Sequence, residues 1–207
     1  GQATLIVKAR TFESADLDRL RAGLSATGIE GLWVHCHAAA GRKLFARSGW
    51  HLDWGAPTSL DAAGLVHGPA ALQQLLPDLH AQAVVLAHDH LDPAPGVAVL
   101  DLYCGIGSTL RRWTEGGASG LGIELAGGAV DCARINAPGA VVLRGTCEQR
   151  LPQVREWWHD GANSRRACYV NPPRSGLEPE LSAALAHELR PDRIAYLSCS
   201  AGTLARD

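Results

Sequence analysis

The chain has 207 residues, of which 46% are apolar and 19% charged, and its net charge is −2. It is long enough to bury a core in one domain plus a small subdomain, and no apolar run reaches membrane-spanning length. The near-neutral balance excludes a protein that grips nucleic acid by phosphate contacts alone, yet only Lys8 and Lys43 among the basic residues are not arginine, so RNA held around one arginine-lined pocket stays open.

The opening Thr4-Leu5-Ile6-Val7 is too short and lacks the basic flanks of a signal peptide, which predicts a cytoplasmic protein. Cys36, Cys104, Cys132, Cys147, Cys168 and Cys199 form no CxxC pair, so neither a disulfide framework nor a zinc or iron–sulfur site is expected. Methionine is absent, even at position 1, and Thr203–Asp207 reads as a helix in its first turns. Both features predict a piece of a longer chain.

Residues 1–68 read as a small N-terminal α/β subdomain. Ala3–Ala9 is strand-like, Ser14–Leu24 has helical spacing with Ser14 as its N-cap, and Gly31–His37 is a second strand. Residues 41–68 carry Gly, Pro and turn residues around short strands. From Gly68 to Leu91 the apolar residues Leu72, Leu75, Leu76, Leu79 and Val84 recur at helical intervals. Residues 69–207 then alternate two kinds of element. Strands are expected at Val97–Leu102, Gly120–Glu124, Ala140–Arg144, Ala167–Asn171 and Arg193–Ser198, with helices such as Ala126–Asn136 and Pro179–Arg190 in the gaps. Short apolar strands alternating with helices predict a doubly wound α/β fold whose mostly parallel sheet is covered on both faces.

Two ends of this pattern carry chemistry. Asp101-Leu102-Tyr103-Cys104-Gly105-Ile106-Gly107-Ser108 follows the first apolar strand, where glycines let the backbone turn tightly and approach a ligand. The third glycine of a dinucleotide fingerprint is missing. About 20 residues on, the second strand ends in Glu124, a carboxylate able to accept from both hydroxyls of a ribose. No second nucleotide-binding half follows, so the adenosyl group of S-adenosylmethionine suits this end better than NAD.

At the other end, Asn171-Pro172-Pro173-Arg174 follows Ala167–Val170. Two prolines fix φ and remove two donors, making a rigid lip that presents an amide and carbonyls to a planar base. Cys199 lies past the last strand, before Ser200-Ala201-Gly202-Thr203, and a helix start beside a thiol favours thiolate. A thiolate adding to carbon 6 of uracil makes carbon 5 nucleophilic, which methylation at carbon 5 requires.

These residues together resemble the class I RNA (uracil-5-)-methyltransferases, which modify uridines in ribosomal RNA and in the T-arm of transfer RNA. Ser198-Cys199-Ser200-Ala201-Gly202-Thr203-Leu204-Ala205-Arg206-Asp207 is similar to the family's Ser-Cys-Asn-Pro-x-Thr-Leu-Ala-Arg-Asp stretch, departing at Ser200 and Ala201. Leu72-Gln73-Gln74-Leu75-Leu76-Pro77 stands where the family has Phe-x-Gln-x-Asn-Pro, and Asn171 replaces the Asp of Asp-Pro-Pro-Arg. The resemblance covers residues 70–207 well and residues 3–68 loosely.

It implies a Rossmann-like methyltransferase domain over 69–207, lacking its last helix and final strands. It implies S-adenosylmethionine held by Gln74, Asp101, Tyr103, Gly105, Gly107, Ser108, Glu124 and Asn171. The base would lie against Asn171, Pro172 and Arg174, with Cys199 as nucleophile. RNA would be the partner, ribosomal rather than transfer RNA, bound by a monomer. The family's Thr-x-His-x-Glu segment, whose Glu is the base, falls beyond residue 207, so this stretch alone is not expected to complete turnover.

Two alternatives stay open. Asn171-Pro172-Pro173 also resembles the motif of enzymes that methylate exocyclic amines of bases, although Arg174 stands in place of the stacking aromatic. The departures at Asn171, Ser200 and Ala201 also fit an RNA-binding protein that kept the fold without turnover. His35-Cys36-His37 and His88-Asp89-His90 lack further ligands at metal spacing and read as core or solvated residues. Trp157-Trp158 read as packing residues, and Arg111-Arg112 and Arg165-Arg166 as solvated faces.

Overall fold

The computed structural model describes residues 1–207 except 40, 42–44, 47, 72–75 and 161–164. The chain divides into two compact units, Gly1–Ala71 and Leu72–Asp207.

In the first unit, β1 (Gln2–Val7), β2 (Gly31–Cys36) and β3 (Trp50–Gly55) form a three-stranded sheet, with α1 (Asp18–Ser25) in the connection from β1 to β2. β1 pairs parallel with β2, and β3 pairs antiparallel on its other side. A two-stranded ribbon, β4 (Ser59–Leu60) and β5 (Val66–His67), follows. Ser14 does not cap α1. It opens a 3-10 turn over Ser14–Leu17, and its hydroxyl donates to Asp53 Oδ1 at 2.7 Å, where Arg21 also binds. The buried Asp53 carboxylate outcompetes a backbone N–H as the partner for that hydroxyl. His35 is fully buried and stacks on Trp50 at 4.1 Å, a packing role. Among the described residues no group of three or more His, Cys, Asp or Glu is placed to hold a metal ion.

The second unit begins with α2 (Pro77–Leu91), shorter at its start than the apolar spacing predicts. Pro77 sits at the first helical position, where its missing N–H costs nothing. Leu72 and Leu75 lie outside the described residues, and Leu76 and Leu79 are exposed. The buried stripe is Val84, Ala87 and Leu91. Strands and helices then alternate: β6 (Val97–Leu102), α3 (Ser108–Glu115), β7 (Ser119–Glu124), α4 (Gly127–Asn136), β8 (Val141–Arg144), α5 (Cys147–Asp160), β9 (Arg165–Val170), α6 (Pro179–Ala184), β10 (Arg193–Tyr196) and α7 (Ala201–Arg206).

All five of these strands are parallel, in the order β10-β9-β6-β7-β8. The chain starts in the middle and winds both ways, which creates a switch point beside β6. β6 is buried along its whole length, and alternate residues face two cores. Leu100 and Leu102 pack with Trp158, Leu181 and Leu185, while Val97 and Val99 pack with Leu91, Trp113 and Val130. Burial of each large side chain there stabilises the unit by roughly 1.5–3 kcal/mol.

Several expected boundaries move. β9 begins two residues earlier, at Arg165, and ends at Val170, leaving Asn171 as the first residue of the lip. β10 stops at Tyr196, one residue after which the Leu197 N–H makes the last ladder bond, to the Val170 carbonyl at 2.8 Å. The helix expected over Pro179–Arg190 is instead α6 followed by a π turn, Leu185–Leu189. Trp158 explains it: its indole N–H donates to the Leu189 carbonyl at 2.8 Å from a fully buried position, so Trp157-Trp158 is a packing pair as expected.

Candidate active site

Strand register brings the chemistry-bearing residues to one edge. Tyr196, Val170, Leu102 and Ile123 lie level with one another across β10, β9, β6 and β7. The residues that follow them, Leu197–Cys199, Asn171–Arg174, Tyr103–Gly107 and Glu124, therefore emerge together at the carboxyl ends of the strands, where open α/β sheets bind ligands. β10 lies two strands from β6, about 10 Å at the usual spacing. That gap accommodates a planar base between a cofactor over β6 and a thiol past β10.

The turn after β6 is built to be approached. Gly105 has φ +57°, and no atom would meet a Cβ there within 4 Å, so its outer side is open. Gly107 has φ +80° and begins α3. A Cβ on it would stand 3.0 Å from Ala133 of α4, so only glycine permits this packing. Ser108 is exposed at the start of α3. Asn136 of α4 holds the turn from below, its Nδ2 donating to the Ile106 carbonyl at 2.8 Å.

Glu124 is half-buried. Oε2 accepts from Gly105 N at 3.1 Å and Oε1 from Ala126 N at 2.7 Å. Both oxygens keep a lone pair, so the carboxylate fastens the turn to β7 and can still accept from vicinal hydroxyls. An open glycine turn with a fixed carboxylate beside it fits the adenosyl end of a nucleoside cofactor. Tyr103 stands at φ +62°, and its hydroxyl donates to Glu178 Oε2. Burial pushes its phenol up, aided by Cys147 and Glu178, so it stays a neutral donor.

Asp101 departs from the expectation that it contacts the cofactor. It is fully buried on the α3 face of β6, where Oδ2 accepts from Thr109 Oγ1 at 2.7 Å and from Trp113 Nε1 at 2.8 Å. Burial pushes its carboxyl up to about 7. Its role in this arrangement is to pin α3 to β6. Gln74, another expected cofactor residue, lies outside the described residues.

On the base-facing side, Asn171 is half-buried, Pro172 buried, and Pro173, Arg174 and Ser175 are exposed. All six cysteines are free thiols. Cys199 is exposed and the other five are buried, so it alone is open to a substrate. Burial raises the Cys104 and Cys168 thiols and pushes Cys147 up to about 12, which keeps them protonated and unreactive. The Ser200 side chain accepts from Thr203 N at 3.4 Å and caps α7, while Ser198 Oγ donates to the Ser200 carbonyl. The two departures from the family stretch thus leave the thiol in a defined loop. Thr109, Trp113, Asn136 and Glu178 also belong to this site and carry no motif of their own, and so does Asp207, which closes the Ser198–Asp207 stretch.

A five-stranded parallel sheet started at its centre, with a glycine turn after the first strand and an acidic residue ending the second, defines a Rossmann-like methyltransferase-type domain. No protein-family model matches the chain. It is 35% identical over 147 residues to an RNA methyltransferase of Enterococcus faecalis whose function is uncharacterised, covering 67% of this chain and 30% of that protein. It is 31% identical over 141 residues to a 23S rRNA (uracil(1939)-C(5))-methyltransferase of Nitrosospira multiformis (67% and 32%), and 33% identical over 150 residues to that of Chromobacterium violaceum (70% and 29%). The chain therefore spans about a third of the length of these curated relatives. In fold it is similar over its whole length to 48% of the Pyrococcus abyssi tRNA (uracil-54, C5)-methyltransferase crystallised with S-adenosyl-L-homocysteine, with a TM-score of 0.66 and 21% identity. Over about two thirds of its length the chain is thus similar to RNA (uracil-5-)-methyltransferases.

Proposed function

We propose that the protein transfers a methyl group from S-adenosylmethionine to carbon 5 of a uridine in RNA, with Cys199 as nucleophile, and that residues 69–207 are its methyltransferase domain. The observation that carries this reading is the placement of the one exposed cysteine on the same strand-end edge as the Asn171 lip and the Gly105–Ser108 turn.

When bound, S-adenosylmethionine supplies an electrophilic methyl group. Gly105, Gly107 and Ser108 would receive it on their open turn, with Glu124 on its ribose hydroxyls. Asn171 hydrogen-bonds the uracil edge and Pro172 backs the ring. Being an amide, Asn171 holds the base without adding charge. The Cys199 thiolate adds to carbon 6, forming a C–S bond and moving the ring electrons to carbon 5, which would take the methyl group as its bond to the sulfonium sulfur breaks and that electron pair stays on sulfur as a neutral thioether. A base then removes the carbon 5 proton, and those electrons expel Cys199 as thiolate.

The reacting uridine must leave its stack to reach this edge, which costs least in a loop. The naming of two relatives for 23S rRNA makes ribosomal RNA the first substrate to test. The cytoplasm, where ribosomes are modified, is the proposed location; among the described residues no helix is long and apolar enough to cross a membrane.

The test uses full-length protein with S-adenosylmethionine and RNA containing 5-fluorouridine. Fluorine at carbon 5 cannot leave as a proton, so the enzyme is trapped on its substrate. The expected result is a denaturation-resistant adduct that Cys199→Ala abolishes. No adduct, with cofactor binding intact, refutes the mechanism.

A further inference from the structure

The Asn171 lip and the Cys199 loop leave different strands, yet one carboxylate ties their far ends together. Asp207 Oδ2 accepts from the Leu177 backbone N–H at 2.8 Å and from the Tyr196 hydroxyl at 2.6 Å. Its Oδ1 accepts from Arg206 Nε at 2.9 Å, and the same guanidinium donates to the Ser175 carbonyl at 2.7 Å. Ser182 of α6 donates to the Asp207 carbonyl at 3.1 Å. The side chain is only 3% exposed. The Tyr196 hydroxyl and the Leu177 amide hold its carboxyl below the usual carboxylate range.

The loop backbone is shaped to this contact. Gly176 has φ +77°, and a Cβ there would stand 2.3 Å from Asp207 Oδ2 and 2.4 Å from Arg206 Nη2. At their near ends the two segments are also joined, since Leu197 N donates to the Val170 carbonyl. The lip and the thiol loop are thus closed into one ring, fastened at both ends, with Cys199 on the free arc between Tyr196 and α7.

We infer that Asp207 is a positioning residue for methyl transfer, fixing the base-holding lip and the nucleophile loop as a single body so that Cys199 meets carbon 6 of the base seated on Asn171. The inference rests on the uridine reading above for its consequence in catalysis, but not for the tie itself. Three donors converge on the Asp207 carboxylate, and only an anion satisfies all of them at once. An asparagine amide would turn an N–H₂ toward a donor.

The test compares full-length wild type, Asp207→Ala, Asp207→Glu and Tyr196→Phe. Amide exchange at Leu177 is expected to quicken on the order of tenfold or more in Asp207→Ala, while β6 amides keep their wild-type protection. The rate of 5-fluorouridine adduct formation at saturating cofactor is expected to fall about tenfold, with cofactor affinity within about twofold of wild type. Tyr196→Phe should show a smaller loss in both readouts, and Asp207→Glu should restore part of the rate.

Unchanged Leu177 exchange overturns the tie, and a loosened lip with an unchanged adduct rate overturns the positioning role. Parallel loss of cofactor binding also overturns it, because the effect is then general unfolding. Wild type that forms no adduct refutes the uridine reading instead. In that event the tie is judged by Leu177 exchange together with the rate at which iodoacetamide alkylates Cys199. Both quicken in Asp207→Ala if the ring exists, and neither changes if it does not.

Discussion

Asp101 sits directly below the cofactor turn, and its environment makes a sharp thermodynamic prediction. Its carboxyl is fully buried, accepts two hydrogen bonds on Oδ2, and leaves Oδ1 without a partner. Burial pushes it up to about 7 from 3.8. A folded-state value above the unfolded one means that Asp101 contributes most below about pH 3.8. The contribution is lost as pH rises through 7, and it is flat beyond that. At 1.36 kcal/mol per unit, the penalty for ionising it in place is bounded at about 4 kcal/mol. Asp101→Asn keeps the acceptor for Thr109 and Trp113 and removes the charge. Urea titrations of both proteins, followed by tryptophan fluorescence at intervals from pH 4 to 8, give the difference curve. The variant should match wild type near pH 4, apart from a constant offset, and gain stability steadily to pH 7, by at most about 4 kcal/mol. A difference that is flat with pH within about 0.5 kcal/mol refutes the assignment of a buried, reluctantly ionised carboxyl.

Gly107→Ala puts a methyl 3.0 Å from Ala133 at φ +80°, so it should lower stability by about 1–3 kcal/mol in thermal unfolding. Gly128→Ala, with nothing within 4 Å in the same α4 region, should be neutral or slightly stabilising; equal effects would sink the steric argument. Tyr103→Phe keeps the half-buried ring but loses the bond to Glu178, which should cost about 1 kcal/mol and weaken cofactor binding severalfold. Glu178→Ala removes the acceptor of the same bond, so in a double-mutant cycle the two effects should be markedly less than additive; simple additivity would show that the contact carries no energy.

The sheet is legible because four of its five strands are short runs closed by a breaker: Gly105 after β6, Gly127 after β7, Gly145 after β8 and Pro172 after β9. Helix limits were less so. Leu72, Leu75, Leu76 and Leu79 continue the spacing of Val84, and a periodicity count has no means of stopping there; Pro77 was the available signal for a start. The π turn at Leu185–Leu189 leaves no period in the sequence. It arises from the Trp158 indole, which reaches a carbonyl 31 residues away in the chain. Ser14 has the local signature of a cap, whereas its partner, Asp53, lies 39 residues on.

The site divides along the same line. Residues proposed to contact ligands sit where a strand ends, so glycine, proline and a cysteine before a helix start mark them. Residues that hold those contacts in place are ordinary polar letters until the crossovers bring them together: Asn136 reaches Ile106 across 30 residues, and Glu178 reaches Tyr103 across 75. Asp101 shows why position alone misleads. It ends a strand before a glycine turn, which reads as a ligand position. In a strand covered on both faces, however, side-chain parity decides the direction, and 97, 99 and 101 all face α3 and its neighbours. An acidic residue of that parity faces α3, where Thr109 and Trp113 donate to it, and Glu124, at the end of the next strand, is the carboxylate proposed for the nucleoside.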